Sequence, residues 1–104
     1  MLIRYLRYNM AQTILQYLRY HFMTSEQVRA ARMLLRWEQK DLAERAGVSL
    51  PSIKRLETQP GPLKAHAGTI RALQTAFEDA GVEFIAEGET SAGAGAGVRL
   101  KAGA

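Results

Sequence analysis

The strongest constraint on this fold comes from two short helical patterns that only three residues separate. The first pattern runs from Glu38 to Ala46. Gly47 follows it directly, at the position where helices commonly end in a left-handed backbone conformation. Ser49 is suited to be the N-cap of the next helix, and Pro51 falls in its first turn, where a missing N–H is tolerated. The chain is therefore expected to turn back sharply at this point.

Two helices joined by so short a turn must cross steeply, which requires a small residue where their backbones approach. Ala43 supplies that residue, and Gly47 tolerates the positive φ of the turn. The second helix ends before the Gln59-Pro60-Gly61-Pro62 segment. This is the helix-turn-helix arrangement, whose second helix presents its outer side chains at a width that suits a DNA major groove. Its predicted inward positions are Leu42, Ala43, Ala46, Val48, Ile53 and Leu56.

Another helix is expected just before this unit. Thr24 and Gln27 match a capping box, so the helix should begin at residue 25 and run to about Arg36. Trp37 is predicted to fill the core between this helix and the next one. The predicted apolar face consists of Val28, Ala31, Leu34 and Leu35.

The C-terminal third predicts a fourth helix and then a β-hairpin. The helix should run from Ala67 or Gly68 to Ala80, with Gly81 ending it. Residues 82–85 and 97–101 then have strand-like composition. Residues 88–97, rich in Gly, Ala and Ser, predict a flexible hairpin loop, and disorder of the tail from Glu87 onward is the alternative. The apolar positions concerned are Ile70, Leu73, Phe77 and Ala80 in the helix, and Val82 and Phe84, expected to pack in the hairpin or a dimer strand.

Residues 1–24 stand apart, with Arg4, Arg7 and Arg19 but no acidic residue. Their apolar residues recur every three or four positions, which favours an amphipathic helix. A dimerisation helix, a membrane-surface helix, a mitochondrial transit peptide and a dispensable extension ahead of a start at Met23 all remain open. The chain thus divides into an N-terminal extension at 1–24, a helix-turn-helix domain at 25–81 and a hairpin with its tail at 82–104. The predicted class is mainly α, with four helices, an extra N-terminal helix and a C-terminal hairpin.

Composition narrows the functional classes. The 104 residues carry a net charge of +4 and no cysteine, which excludes a disulfide scaffold, thiolate catalysis and cysteine-ligated zinc. His21 and His66 are too few and too far apart to suggest a metal site, and no cofactor is expected. No apolar run approaches the roughly 18 residues of a membrane span. No nucleophile–base pair, carboxylate pair or phosphate-binding glycine loop predicts an enzyme.

The segment Trp37–Ser49 (WEQKDLAERAGVS), continued by PSIKRLE at 51–57, resembles the phage repressor/Cro-type (XRE-like) helix-turn-helix family. The tail segments GVEFI at 81–85 and GVRL at 97–100 are similar to those of short bacterial regulators of this kind. The resemblance covers residues 25–101. It implies that Gln39 binds a phosphate and braces the second helix of the motif, and that Ser49 touches the DNA backbone. It also implies an ion pair between Arg32 and Glu57 that ties two helices together.

The outward positions of the second motif helix differ from the usual family pattern. Leu50 and Pro51 replace polar residues that would read bases, so readout is expected to depend on Lys54 and Arg55. A guanidinium can bind guanine O6 and N7 together, and Leu50 can pack on a thymine methyl. The complete predicted DNA-binding set is Gln39, Lys40, Ser49, Leu50, Pro51, Ser52, Lys54, Arg55 and Lys64.

These residues predict a sequence-specific regulator of transcription that binds double-stranded DNA, most simply a repressor that occludes a promoter. A single copy has few cationic contacts, so a homodimer on a palindrome with half-sites about 34 Å apart is expected. The predicted location is the cytoplasm, at the nucleoid. The alternative is an antitoxin that binds a toxin partner through residues 1–24 or the hairpin and represses its own operon.

Overall fold

The computed structural model describes residue 10, residues 23–88 and residues 95–102. Within these ranges the fold is mainly α with a C-terminal two-stranded hairpin, as predicted. The predicted N-terminal helix, apart from its last residues and Met10, and the middle of the hairpin loop lie outside the described residues. The elements are α1 at Ser25–Leu35, α2 at Gln39–Ala46, α3 at Leu50–Thr58, α4 at Ala67–Asp79, β1 at Val82–Ile85 and β2 at Gly97–Leu100.

Helix α1 begins with the predicted capping box. The Gln27 N–H donates to Thr24 Oγ1 over 3.1 Å, and the Thr24 N–H donates to Gln27 Oε1 over 2.9 Å. The helix ends at Arg36, whose φ of 57° is left-handed. The prediction that Leu34 faces the core is wrong, because Leu34 is 41% exposed. At about 100° per residue, Leu35 returns to the line of Val28, whereas Leu34 is rotated well away from it.

Helices α2 and α3 are joined by the predicted three-residue turn. Gly47 has a φ of 67°, and the Val48 N–H donates to Ala43 O over 3.1 Å. Ser49 caps α3 by accepting the Ser52 N–H over 3.3 Å. Leu42, Ile53 and Leu56 are almost fully buried, so both helices turn one apolar side toward the core and leave the other to solvent.

Three aromatic rings run through the core. Trp37 stacks on Phe77 of α4, with centroids 5.7 Å apart and planes 20° apart, and Phe77 meets Phe84 of β1 edge-on at 5.7 Å. Trp37 packs against the core, as predicted, and its ring also reaches α4 through Phe77. Arg36 has a left-handed backbone conformation, so the chain changes direction immediately before Trp37. Arg45 covers the outer face of Trp37 at 4.6 Å from the centroid.

The hairpin is antiparallel, with Val82 opposite Leu100 and Phe84 opposite Val98. Residues 97–100 are paired, so the alternative of a disordered tail from Glu87 fails for these residues. Val82 and Phe84 are 0% and 4% exposed and belong to the main core, which removes them as side chains of an open dimer strand.

Residues 23 and 24, the last two of the predicted N-terminal extension, pack with the described domain. Met23 is only 2% exposed within the core. Its carbonyl oxygen accepts the Leu63 N–H over 3.0 Å, and Thr24 forms an antiparallel bridge with Pro62. The folded unit therefore includes residues 23 and 24. Within the described ranges, no helix combines the length and apolar character required to cross a bilayer.

Candidate nucleic-acid interface

A cluster of charged hydrogen bonds fixes α3 against α1 and α2. Arg32 Nε and Nη2 of α1 donate to the two carboxylate oxygens of Glu57 in α3, each over 2.7 Å. The side chains are 15% and 4% exposed, so the pair that the family resemblance implied is present and largely buried. Gln39, the first residue of α2, donates from Nε2 to Glu57 Oε1 over 3.2 Å. One carboxylate thus connects three helices and sets the orientation of α3.

The outer face of α3 is open. Pro51, Lys54 and Arg55 are exposed, whereas Leu50 is half-buried. Ser52 is also half-buried, and its hydroxyl accepts a hydrogen bond from Ser49 Oγ over 2.8 Å. Lys54 and Arg55 therefore project from the side of α3 opposite the buried Ile53 and Leu56, as the helical period requires.

Beside α3 lies a groove that we call the basic groove. Its volume is about 540 Å³, and it runs from the turn before α3 to the first turn of α4. Arg55 lines one side, and Lys64 and His66 line the other, all three of them exposed. The remaining lining residues carry no carboxylate: they are Val48, Ser52, Ala65 and Thr69.

The basic groove and the outer face of α3 together carry three exposed cationic side chains, those of Lys54, Arg55 and Lys64. Arg55 belongs to both, because it lines the groove and projects from α3. A guanidinium and an ammonium separated by an open groove suit a phosphate backbone, since neither charge is neutralised by a carboxylate in the lining. Lys40 of α2 is exposed as well, although it does not line this groove.

The sequence analysis did not identify two polar residues of this groove. His66 was assigned no role, yet it lies at the N-cap of α4 and lines the groove with Lys64. Thr69, one turn later, lines it as well. Their positions depend on how the loop at residues 59–66 returns toward α3, and no local pattern indicates that path.

Gln27 has a second role that the capping box did not reveal. Its side chain is buried, and Nε2 donates to Ile85 O over 3.1 Å and to Gly97 O over 2.9 Å. The same amide therefore starts α1 with its oxygen and holds the hairpin with its nitrogen. These two hydrogen bonds fasten the hairpin to the start of α1.

Glu26 also stabilises the loop that leads toward the basic groove. The Gly61 N–H donates to its carboxylate over 2.9 Å, and the Ser25 hydroxyl donates over 2.8 Å. These hydrogen bonds, that of Gly61 first, hold the pKa of Glu26 below its ordinary value. Among the described residues, no group of three or more carboxylate or imidazole side chains is placed to hold a metal ion.

Comparison with known proteins gave no relative: no family model matches the sequence, and no curated protein matches it. The candidate interface therefore stands on its geometry alone.

Proposed function

We propose that this protein is a sequence-specific regulator of transcription that binds double-stranded DNA through a helix-turn-helix of the phage repressor/Cro type. The observation that supports this most is the outer face of α3. A helix of nine residues follows α2 after three residues, is locked from behind by Glu57, and presents Lys54 and Arg55 to solvent. A helix held in this way fits the major groove, which admits one α-helix.

Within this proposal, the residues of α3 recognise the bases. Arg55 is the residue suited to guanine, because its planar guanidinium can donate to O6 and N7 together. Lys54 provides a second donor, and Leu50 provides an apolar surface for a thymine methyl. Pro51 and Ser52 complete the part of α3 that would lie closest to the bases.

Affinity, as distinct from specificity, is proposed to come from phosphate contacts on either side of α3. Gln39 and Ser49 are proposed phosphate ligands at the start of α2 and α3, with Lys40 beside them. Lys64 is the proposed phosphate ligand across the basic groove, with His66 and Thr69 as its neighbours there. These contacts carry no sequence information, since every phosphate is alike.

The proposed regulator acts as a homodimer on a palindrome. One copy offers two or three cationic contacts, and affinity at cellular salt falls steeply when few phosphates are neutralised. Two copies double the contacts and place the two α3 helices in successive major grooves, about 34 Å apart. Occlusion of a promoter by such a dimer would repress transcription.

The test begins with selection of genomic fragments by the purified protein, which yields an operator and its half-site spacing. Binding of Arg55→Ala and Lys64→Ala is then measured on the operator and on random DNA over a range of salt. Arg55→Ala should narrow the difference between the two DNAs by about 1–3 kcal/mol. Lys64→Ala should weaken both equally and lower the salt slope by about one.

Arg29→Ala is the matched control, because Arg29 is an exposed cation on α1 outside the proposed interface. It should leave the operator affinity nearly unchanged. Selection of no fragment, or equal losses from all three variants, would contradict the proposal.

A further inference from the structure

His66 lies at the basic groove with a side chain that has no capping role. It is exposed and directly precedes α4, but its side chain makes no cap hydrogen bond to the start of that helix. Its φ of −62° and ψ of 150° are ordinary extended values, so the backbone there does not require a histidine. The imidazole is therefore free to meet a ligand in the groove.

The charged groups that line the groove around His66 are all cationic. Arg55 approaches from α3, and Lys64 precedes His66 by two residues in the loop. The other lining residues, from the α2–α3 turn, α3, the loop and α4, are uncharged: Val48, Ser52, Ala65 and Thr69. No carboxylate of this lining can stabilise a protonated His66, so the anion that does so must come from the ligand.

The segment that carries Lys64 and His66 is anchored at both ends. Leu63 is only 8% exposed, and its N–H donates to Met23 O over 3.0 Å. At the other end, the carbonyl oxygen of His66 accepts the Ile70 N–H of α4 over 3.1 Å. The protein therefore holds both side chains at the groove before any ligand binds.

We propose that His66 binds a DNA phosphate as the protonated imidazolium, so that the affinity of this protein for DNA rises as the pH falls through the neutral range. Histidine is the side chain whose charge ordinarily changes between pH 5 and 8. The neutral ring has one N–H donor, whereas the imidazolium has two donors and a positive charge, which makes it the stronger partner of a phosphate. This inference rests on the proposed function in taking DNA as the ligand.

Proton linkage fixes the sign of the effect. Because a bound phosphate favours the imidazolium, the complex holds more protons than the free protein, and binding strengthens as the pH falls. A contact that raises the pKa of an imidazole by one unit on binding raises the affinity about tenfold. We therefore expect a change of about this size for each bound copy.

Glu26 does not cause this pH dependence. Its carboxylate accepts the Gly61 N–H over 2.9 Å and so fastens the start of the same loop. That hydrogen bond, before all others, holds the pKa of Glu26 below its ordinary value. The carboxylate therefore stays ionised at about pH 5.5 and above, and the loop keeps this contact throughout the range in which histidine titrates.

The test measures binding to duplex DNA of random sequence by fluorescence anisotropy at about pH 8 and about pH 5.5, at one ionic strength. Random DNA suffices, because phosphate contacts do not depend on sequence. The wild-type protein should bind about tenfold more tightly per copy at the lower pH. His66→Gln keeps a polar side chain without the charge, so it should lose this difference.

Two further variants separate the charge of His66 from other causes. His66→Lys carries a permanent charge, so it should bind at the higher pH about as tightly as the wild-type protein does at the lower pH. His21→Gln removes the other histidine of the chain and should keep the pH dependence. Circular dichroism should show the same helix content for all variants, because the side chain of His66 is exposed and makes no cap hydrogen bond.

The salt dependence gives a readout that a merely structural role would not change. Each cationic contact with a phosphate releases counterions and steepens the dependence of affinity on salt. At the lower pH the slope for the wild-type protein should exceed that for His66→Gln by about one per copy, and at the higher pH the two slopes should agree.

The outcomes distinguish this inference from the proposed function. An unchanged pH dependence in His66→Gln, or its loss in His21→Gln, would overturn the inference alone. Binding to random DNA that depends on pH through His66, without selection of any operator, would support the inference and contradict sequence-specific regulation. A protein that binds no DNA at either pH would contradict both.

Discussion

The α2–α3 side of the domain and the hairpin side are held to the same core by different kinds of contact. Glu57 fixes α3 through charged hydrogen bonds of 2.7 Å to Arg32 and one of 3.2 Å to Gln39. The hairpin receives two hydrogen bonds from Gln27, but it packs on the core through apolar contacts, with Phe84 against Phe77 and Trp37 also stacked on Phe77. Directional bonds fix an angle, whereas apolar burial supplies most of the free energy of folding.

This difference suits the proposed roles of the two sides. An outer face that reads bases must be held within a narrow range of orientation, and a bidentate ion pair does this through its geometry. The hairpin has no such requirement, and its side chains complete the core. Changes on the hairpin side should therefore cost global stability, while changes at Glu57 should mainly affect the position of α3.

The largest expected effect is that of Phe77→Ala. Phe77 is 0% exposed and touches both Trp37 and Phe84, so its removal should lower the free energy of unfolding by about 3–5 kcal/mol. Urea denaturation measures this value, and the near-ultraviolet circular dichroism of the aromatic residues should collapse with it. Met33→Ala, at an exposed position, should change stability by less than about 0.5 kcal/mol. Similar losses from the two variants would contradict the assigned core.

The next largest effect is expected for Glu57→Ala, which should change the α2–α3 side and leave the hairpin side intact. It leaves the Arg32 guanidinium without its carboxylate, which should cost about 2–3 kcal/mol, since breaking a fully buried pair costs more and Arg32 retains some exposure. The aromatic circular dichroism should remain, unlike in Phe77→Ala. A double variant, Arg32→Met with Glu57→Leu, should recover most of the stability but not the operator affinity. Full recovery of DNA binding by the double variant would show that the polar cluster does not set the position of α3.

The smallest effect concerns Glu26, which fastens the loop at Gly61. Its lowered pKa means that the folded state favours the ionised carboxylate, so this stabilisation is complete above the unfolded pKa of about 4.3 and is lost as the pH falls. Glu26→Gln should therefore melt slightly below the wild-type protein at pH 7, and the difference should shrink between about pH 5 and pH 2. Melting curves by circular dichroism check this, and a difference that does not depend on pH would contradict it.

Much of the local structure could be predicted because its signals are short-range. The capping box at Thr24, the left-handed Gly47 and the Ser49 cap each involve residues within three or four positions of one another. Their conformational preferences are nearly the same in any fold, and the structure contains all three.

The predictions that failed or were missing concerned contacts between residues that are far apart in the chain. Leu34 looked apolar and well spaced, but it is 41% exposed, and the half-buried Leu35 lies on the inward side of α1. The stacking of Trp37 on Phe77 was not predicted either, because Phe77 lies forty residues away in the chain. Periodicity shows that a residue belongs to an apolar face, but not which element covers it.

The sequence by itself determined the elements, their ends and the candidate residues of α3, since propensity, capping and periodicity act along a few residues of chain. Only the tertiary structure decided that Gln27 holds the hairpin and that His66 joins Lys64 and Arg55 at the basic groove. Those relations join residues far apart in the chain, and they arise only when burial of the shared core brings the elements together.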